Sequence, residues 1–345
     1  MKKELSNVKS KKKNGKGKRV VLGVLLGLLI LLLAAGGTAL YYVNSKLDKL
    51  SYTPAGAATP PVYTEEEKVL LQEESKKDSV EQIESSEAVP EGEVVEDNSV
   101  VNILLLGTDM RIPYTSDPGR ADAIQIISLN RSTGAIKLIS FERGIMVPVP
   151  GHDKELLTHS YRWAGPDYML SLFTDYFLLD MAGYAQVDFE AFIEIIDAIG
   201  GIDVELSAME AWALRNDYYR HLAEGVNHMD GSLALAYCRL RRIDSNWVRI
   251  ERQRKAIQAV LYKVKGMSIQ ELNALADVVL PLIHTNLSKN QITSLMLSAP
   301  KFLGVTAEQM TVPKRTPGRG AYCDFQAEAE RLQEFIYGPS EEPAS

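Results

Sequence analysis

Residues 20–45 carry no charged side chain, and they follow nine Lys and Arg residues packed into positions 2–19. Few features restrict a chain more. An apolar run of this length reaches across the ~30 Å of hydrocarbon in a bilayer as a helix. Tyr41 and Tyr42 stand near its far end, where interfacial aromatics collect. The run is longer than the core of a cleavable signal peptide, so an uncleaved anchor is expected despite the small residues Ala34-Ala35-Gly36-Gly37-Thr38-Ala39. The basic flank keeps the amino terminus in the cytoplasm. Everything after residue 46 is then expected outside it, at the cell membrane.

From residue 46 to 98 the composition turns acidic, with 13 Asp and Glu against three Lys between Glu65 and Asp97. Apolar positions are sparse, so this stretch reads as a flexible, self-repelling spacer. A folded domain is expected over residues 99–337, with a disordered tail at 338–345. Val100–Leu106 is a short apolar run ending at Gly107, as in a strand buried on both faces. Ala123–Leu129 and Ala135–Phe141 read as two more strands joined by the turn Asn130-Arg131-Ser132-Thr133-Gly134. Helices are expected over Tyr168–Phe177, Phe189–Ile199, Ser232–Tyr237 and Trp247–Val264. Strands are expected at Ile202–Leu206 and, as a late edge strand, Thr311-Val312-Pro313. The mixture predicts an α/β (α-β-α) extracytoplasmic domain with a central mixed sheet, beside one N-terminal transmembrane helix. Cys238 and Cys323 permit one bridge, and a pair of reduced core thiols fits the sequence equally well.

The net charge is −7, yet Tyr237–Lys255 concentrates six arginines and a lysine against two acids. Guanidinium forks match phosphate oxygens bidentately, so such a cluster is the mark of a phosphate or polyphosphate site. If extended, Arg239 and Arg241 point to one face. Arg249, Arg252 and Gln253 follow helical i, i+3, i+4 spacing and share a face. Arg242 then points away, and Arg254 and Lys255 read as a solvated face. Further polar residues stand just past the strands, where ligands of open α/β sheets bind: Asp109 and Arg111, Arg120 and Asp122, and Arg143. Nucleic acid is excluded as the polyanion by the expected topology and the acidic balance.

These residues recur in a recognisable order: Gly107-Thr108-Asp109-Met110-Arg111, Arg120-Ala121-Asp122, Ser140-Phe141-Glu142-Arg143, Leu157-Thr158-His159-Ser160-Tyr161, Val187-Asp188-Phe189, Asp197 through Val204, Asp230-Gly231, Ala234 through Arg241, and Arg249-Ile250-Glu251-Arg252-Gln253. The pattern resembles the LytR-CpsA-Psr family over about Val100 to Lys263. The resemblance implies a membrane-anchored phosphotransferase of a Gram-positive-type wall. Such an enzyme takes an anionic glycopolymer (teichoic acid or capsular polysaccharide) from a polyprenyl pyrophosphate carrier. It joins the polymer to peptidoglycan at the muramic acid 6-hydroxyl. The resemblance further implies Mg²⁺ near Asp109 and Asp122, with Arg143 beside these carboxylates as the catalytic set. Arg120, Arg143, Arg239, Arg241, Arg249, Arg252 and Gln253 would bind pyrophosphate, with Arg111 an additional candidate. Apolar residues of Phe189–Ile199 are candidates for a polyprenyl channel. The chain departs from the family pattern at Gly144, Asn246 and Thr158. The first two remove carboxylates expected to orient Arg143 and Arg249, which keeps open a second reading as a non-catalytic binder of lipid-linked or wall-linked polyanions.

Overall fold

The computed structural model describes residues 44–54, 56, 62–77, 80–109, 119–215, 221–240, 243, 246–302, 305–315 and 321–338. The chain divides into two units, Met1–Asp48 and Lys49–Ser345, and every element named here lies in the second. The basic tail, nearly all of the apolar stretch expected to cross a membrane, and the tail after Gly338 fall outside the described residues. Among the described residues no helix is long and apolar enough to span a membrane.

The strands are β1 (Ser51–Tyr52), β2 (Val100–Thr108), β3 (Ala121–Asn130), β4 (Ile136–Phe141), β5 (Met146–Val149), β6 (His152–Leu156), β7 (Met181–Asp188), β8 (Ile202–Leu206), β9 (Gly225–Met229), β10 (His284–Thr285) and β11 (Glu308–Val312). The helices are α1 (Glu65–Lys77), α2 (Leu157–Phe177), α3 (Phe189–Ala198), α4 (Ala208–Leu214), α5 (Gly231–Arg239), α6 (Asn246–Lys265), α7 (Ile269–Val279), α8 (Lys289–Phe302) and α9 (Phe325–Tyr337). Seven strands form one sheet in the order β1-β10-β7-β2-β3-β4-β11. The central strand β2 runs parallel to β7 and antiparallel to β3, so the sheet is mixed. Asn130 closes the β3–β4 hairpin by accepting the N–H groups of Ser132 and Thr133 at 2.9 Å each, the local bond that suits Asn to turns.

Side chains alternate across a strand, and that alternation divides the molecule. Leu104 and Leu106 of β2 and Ile124 and Ile126 of β3 enter a core completed by Phe173 and Phe177 of α2 and Phe325 of α9. Leu105, Gly107, Ala123 and Gln125 face the opposite way, toward a cavity covered by α3, α5 and α6. A second core joins α3, β8, β9, α5 and α6 through Ile196, Ile202, Met229, Leu233, Tyr237 and Ala256. The expected layers are present, and so is the edge strand, which pairs in parallel with β4 from Glu308 to Val312.

Three expectations need correction. The acidic stretch is not a spacer, and the fold does not begin at Val100. Ser51 and Tyr52 pair with His284 and Thr285 at the sheet edge, Tyr63 and Leu71 enter the main core, and Ile83, Ser85 and Val95 bridge to Ile145, Cys323 and Leu179. Backbone pairing is indifferent to side-chain charge, and a few well-spaced apolar residues suffice to dock the segment while the carboxylates stay in water. The helix expected from Tyr168 starts earlier. It runs from Leu157 and breaks at Gly165, whose φ of 76° precedes Pro166, so sequence patterning shows only its second half. Arg239 is not extended. It is the last residue of α5.

Candidate active site

The strand ends β2 and β3 bring two Asp–Arg pairs together. Asp109 is buried and accepts from Arg120 through both oxygens: the backbone N–H at 2.5 Å, Nη2 at 3.1 Å and Nε at 3.3 Å. The Asp109 N–H returns a bond to the Arg120 carbonyl at 3.0 Å. Two residues after Arg120, Asp122 accepts through Oδ1 from Nη1 of Arg143. Arg143 is only 2% exposed, and its Nε and Nη2 have no hydrogen-bond partner among the described residues. Buried donors without partners are uncommon, and this one guanidinium carries two of them.

Helix ends supply the facing wall. Asp188 caps α3 by accepting from Ala191 at 2.8 Å, and Asp230 caps α5 by accepting from Leu233 at 2.8 Å. Capping fixes the direction in which each helix leaves its strand, and accounts for the aspartates of two sequence motifs. At the end of α5 the Arg239 guanidinium lies over the Phe189 ring, 4.4 Å from its centroid, a cation–π contact that holds a long side chain in place. On α6, Arg249 Nη2 donates to the Asp122 carbonyl at 3.4 Å. One turn further, Gln253 lies on the same face.

Arg120, Asp122, Asp188, Phe189, Arg239, Arg249 and Gln253 line a cavity of about 570 Å³; Asp109 and Arg143 are not among its lining residues and adjoin it through their partners Arg120 and Asp122. One part is polar, with Arg120, Asp122, Arg239, Arg249 and Gln253; the rest is apolar, with Leu105, Ala185, Phe192, Leu235, Ile257 and Ile283. Of the apolar residues of α3, Phe189 and Phe192 face it, while Ile196 and Ile199 go to the core.

Arg252 is not among the cavity residues. It is 1% exposed and donates from Nε to Glu210 at 2.7 Å and from Nη1 to the Leu240 carbonyl at 2.8 Å. The expected shared face of Arg249, Arg252 and Gln253 therefore holds for the i, i+4 pair, whereas the i+3 arginine turns into the α4–α5 core. Arg254, expected to be solvated, is buried and ties α6 to β11 through Thr311 Oγ1 at 2.9 Å. Lys255 is exposed, as expected. Arg111, Arg241 and Arg242 lie outside the described residues, as does the side chain of Asn246. Glu210 lies outside the residues that the sequence marks for the site. The S-x-x-E capping box Ser207–Glu210 was its one legible signal, since both reciprocal bonds are made.

The departures at Gly144 and Thr158 acquire physical reasons. A Cβ on Gly144 would stand 2.0 Å from the Glu81 carbonyl oxygen, because the Ile83 N–H donates to the Gly144 carbonyl at 2.8 Å. The once-expected spacer thus occupies the space a side chain at 144 would need. Thr158 donates its hydroxyl to the Ala121 carbonyl at 2.8 Å and its N–H to the Arg143 carbonyl at 3.1 Å, joining β3 to the Arg143 corner. Both cysteines are free and buried, and burial pushes the Cys238 thiol up to about 12, which rules it out as a thiolate nucleophile near neutral pH.

Among the described residues no group of three or more His, Cys, Asp or Glu side chains could hold a metal ion. Asp109 and Asp122, the carboxylates that the resemblance assigns to Mg²⁺, are each paired with an arginine, and phosphate oxygens would have to complete the shell of an ion held there.

A protein described as polyisoprenyl-teichoic acid–peptidoglycan teichoic acid transferase TagU, from Bacillus mycoides, is 28% identical over 302 residues, which cover 86% of this chain and 88% of that one. The crystal structure of B. subtilis TagV has the same fold, with a TM-score of 0.57 at 20% identity over 70% of this chain and 98% of that one. So does the LytR-CPS2A-psr family protein YwtF (TagT), solved with bound octaprenyl pyrophosphate lipid, at a TM-score of 0.52 and 19% identity over 74% of this chain and 99% of that one. The LytR_cpsA_psr family model matches residues 63–338, a span that starts well before Val100 and includes the docked acidic segment, and the chain belongs to the LytR_cpsA_psr family.

Proposed function

We propose that this protein is a membrane-anchored phosphotransferase that moves an anionic glycopolymer, such as teichoic acid or capsular polysaccharide, from a polyprenyl-pyrophosphate carrier to peptidoglycan. One observation carries the reading: a single cavity joins a cluster of guanidiniums and an amide to an apolar region. That is the shape and polarity of a lipid-linked pyrophosphate. The transferase name of the Bacillus mycoides relative and the octaprenyl pyrophosphate named with YwtF support it.

Arg120, Arg239, Arg249 and Gln253 bind the pyrophosphate oxygens, and the two unpartnered N–H groups of Arg143 stabilise the charge that grows there in the transition state. The acceptor hydroxyl attacks the phosphorus that bears the saccharide. The bond from that phosphorus to the bridging oxygen breaks, and polyprenyl phosphate leaves. The hydroxyl proton passes to Asp122, which lines the cavity. Mg²⁺, when bound by Asp109 and Asp122, supplies further neutralisation of the pyrophosphate. The apolar stretch at 20–45 anchors the protein in the cell membrane with this domain outside.

A non-catalytic polyanion binder is the second reading, favoured by the engagement of both carboxylates with arginines. Incubating the purified full chain with Mg²⁺, a polyprenyl-pyrophosphate-linked saccharide and peptidoglycan separates the two. Transfer gives a phosphodiester signal in ³¹P NMR together with polyprenyl phosphate. Binding without turnover would sink the enzyme reading.

A further inference from the structure

Arg315 belongs to no motif, yet it holds the corner that carries Arg143. Its Nε and Nη2 donate to the two oxygens of Glu142, both at 2.6 Å. Glu142 is 2% exposed and immediately precedes Arg143 in the chain. The same guanidinium lies 3.6 Å from Glu81 of the docked acidic segment. It also sits 5.7 Å from the ring centroid of Trp247, in the first turn of α6 and two residues before Arg249. The backbone around Glu142 is held from three further sides: the Glu142 N–H donates to Val312 at 2.8 Å, the Arg143 carbonyl accepts from Thr158 at 3.1 Å, and the Gly144 carbonyl accepts from Ile83 at 2.8 Å.

The charges explain why this arrangement matters for the site. Glu142 is a buried carboxylate next to Arg143 in the chain, and left without a cation it would draw on any guanidinium that came within reach, since charge-assisted bonds are the strongest available. Here the Glu142 carboxylate is satisfied by Arg315 in fork geometry. Arg143 makes one bond, to Asp122, and keeps Nε and Nη2 without a partner among the described residues. We propose that Arg315 is a positioning residue for the pyrophosphate site: it sequesters the Glu142 carboxylate, so that two N–H groups of Arg143 remain for phosphate, and through Trp247 it sets the first turn of the helix bearing Arg249. This rests on the proposed function, because it takes the anion at Arg143 to be the pyrophosphate of a lipid carrier.

The test measures the affinity of the purified full chain for farnesyl pyrophosphate by titration calorimetry, with a melting curve for each variant. R315A is expected to weaken binding on the order of tenfold or more. R315K falls between, because an ammonium neutralises Glu142 without reproducing the fork. R315A/E142Q recovers most of the loss, because no competing carboxylate remains. Wild-type affinity in R315A overturns the proposal, and so does a double variant no better than R315A. Should R315A fail to fold, R315K and the double variant still carry the comparison. A ligand-free arm distinguishes this claim from the functional reading. If the wild type does not bind farnesyl pyrophosphate, the functional reading fails. The crystal structure of R315A then decides on Arg315 alone: a displaced Arg143 guanidinium supports the positioning role, and an unchanged Arg143–Asp122 pair refutes it.

Discussion

Replacing Arg252 with alanine should unfold the protein earlier without emptying its anion site. Arg252 is 1% exposed and Glu210 6% exposed, and their charged atoms meet at 2.7 Å. Alanine at 252 leaves the Glu210 carboxylate buried with its cation gone, and removes the donor to the Leu240 carbonyl. Breaking one side of such a pair costs about 3–5 kcal/mol. For a domain of this size each kcal/mol lowers the Tm by about 2–4 °C, so the fall should be on the order of 6–20 °C. Circular dichroism melts measure it. Farnesyl pyrophosphate affinity, taken well below the variant's Tm, should change far less than it does in Arg249→Ala, which removes a cavity residue. A double change to apolar residues, Glu210→Leu with Arg252→Met, should regain most of the lost Tm, because a well-packed apolar pair substitutes for a buried ionic one. The reasoning fails if Arg252→Ala melts within about 1 °C of the wild type, or if it loses pyrophosphate binding as completely as Arg249→Ala while still folded.

Other outcomes follow from the same contacts. Burial alone would raise the Glu210 carboxyl, but hydrogen bonds from Ser207 and Arg252 hold it below its ordinary value of 4.5. A lowered folded-state value adds stability above that pH and loses it as the pH falls through the folded value, so the Tm gap between wild type and Arg252→Ala should close below about pH 4.5. Gly144→Asp should cost more than about 2 kcal/mol in urea unfolding, because its Cβ meets the Glu81 carbonyl, and a neutral result would contradict the docked position of residues 80–85. Phe192→Arg places a charge in the apolar region of the cavity. It should abolish binding of a long polyprenyl pyrophosphate and leave inorganic pyrophosphate binding within about twofold; equal loss of both would mean that the apolar walls do not hold the lipid.

The sheet was legible because its strands are uniform in kind. Val100–Leu106, Ala123–Leu129 and Ala135–Phe141 are apolar runs closed by turn residues, and each appears within a few residues of its expected bounds. The acidic segment was misread because composition records the side chains in water, whereas Ile83 and Ser85 make backbone bridges and Ile83 also buries its side chain in the main core. The break at Gly165 hid the first half of α2 from helical periodicity. In the site, Asp109, Arg120, Asp122 and Arg143 stand where strand ends put them, and Arg239, Arg249 and Gln253 reach the same place from helices. Arg252 misled because spacing assigns a face but not its width; Arg252 stands about 60° to one side of Arg249 and Gln253 about 40° to the other, roughly 100° apart around the axis, and the core took Arg252. Arg315 could not be found by spacing at all, since its partners Glu81, Glu142 and Trp247 are brought to it by the sheet edge.

The central claim is that the pyrophosphate of a lipid carrier lies where the two Asp–Arg pairs meet α5 and α6. The most direct test is a crystal structure of residues 49–345 with a polyprenyl pyrophosphate. The account predicts phosphate density within hydrogen-bond distance of Arg239, Arg249 and the Nε and Nη2 of Arg143, with the prenyl chain running past Phe192 and Leu235. Lipid density elsewhere, or pyrophosphate bound with Arg143 and Arg249 out of contact, would contradict it.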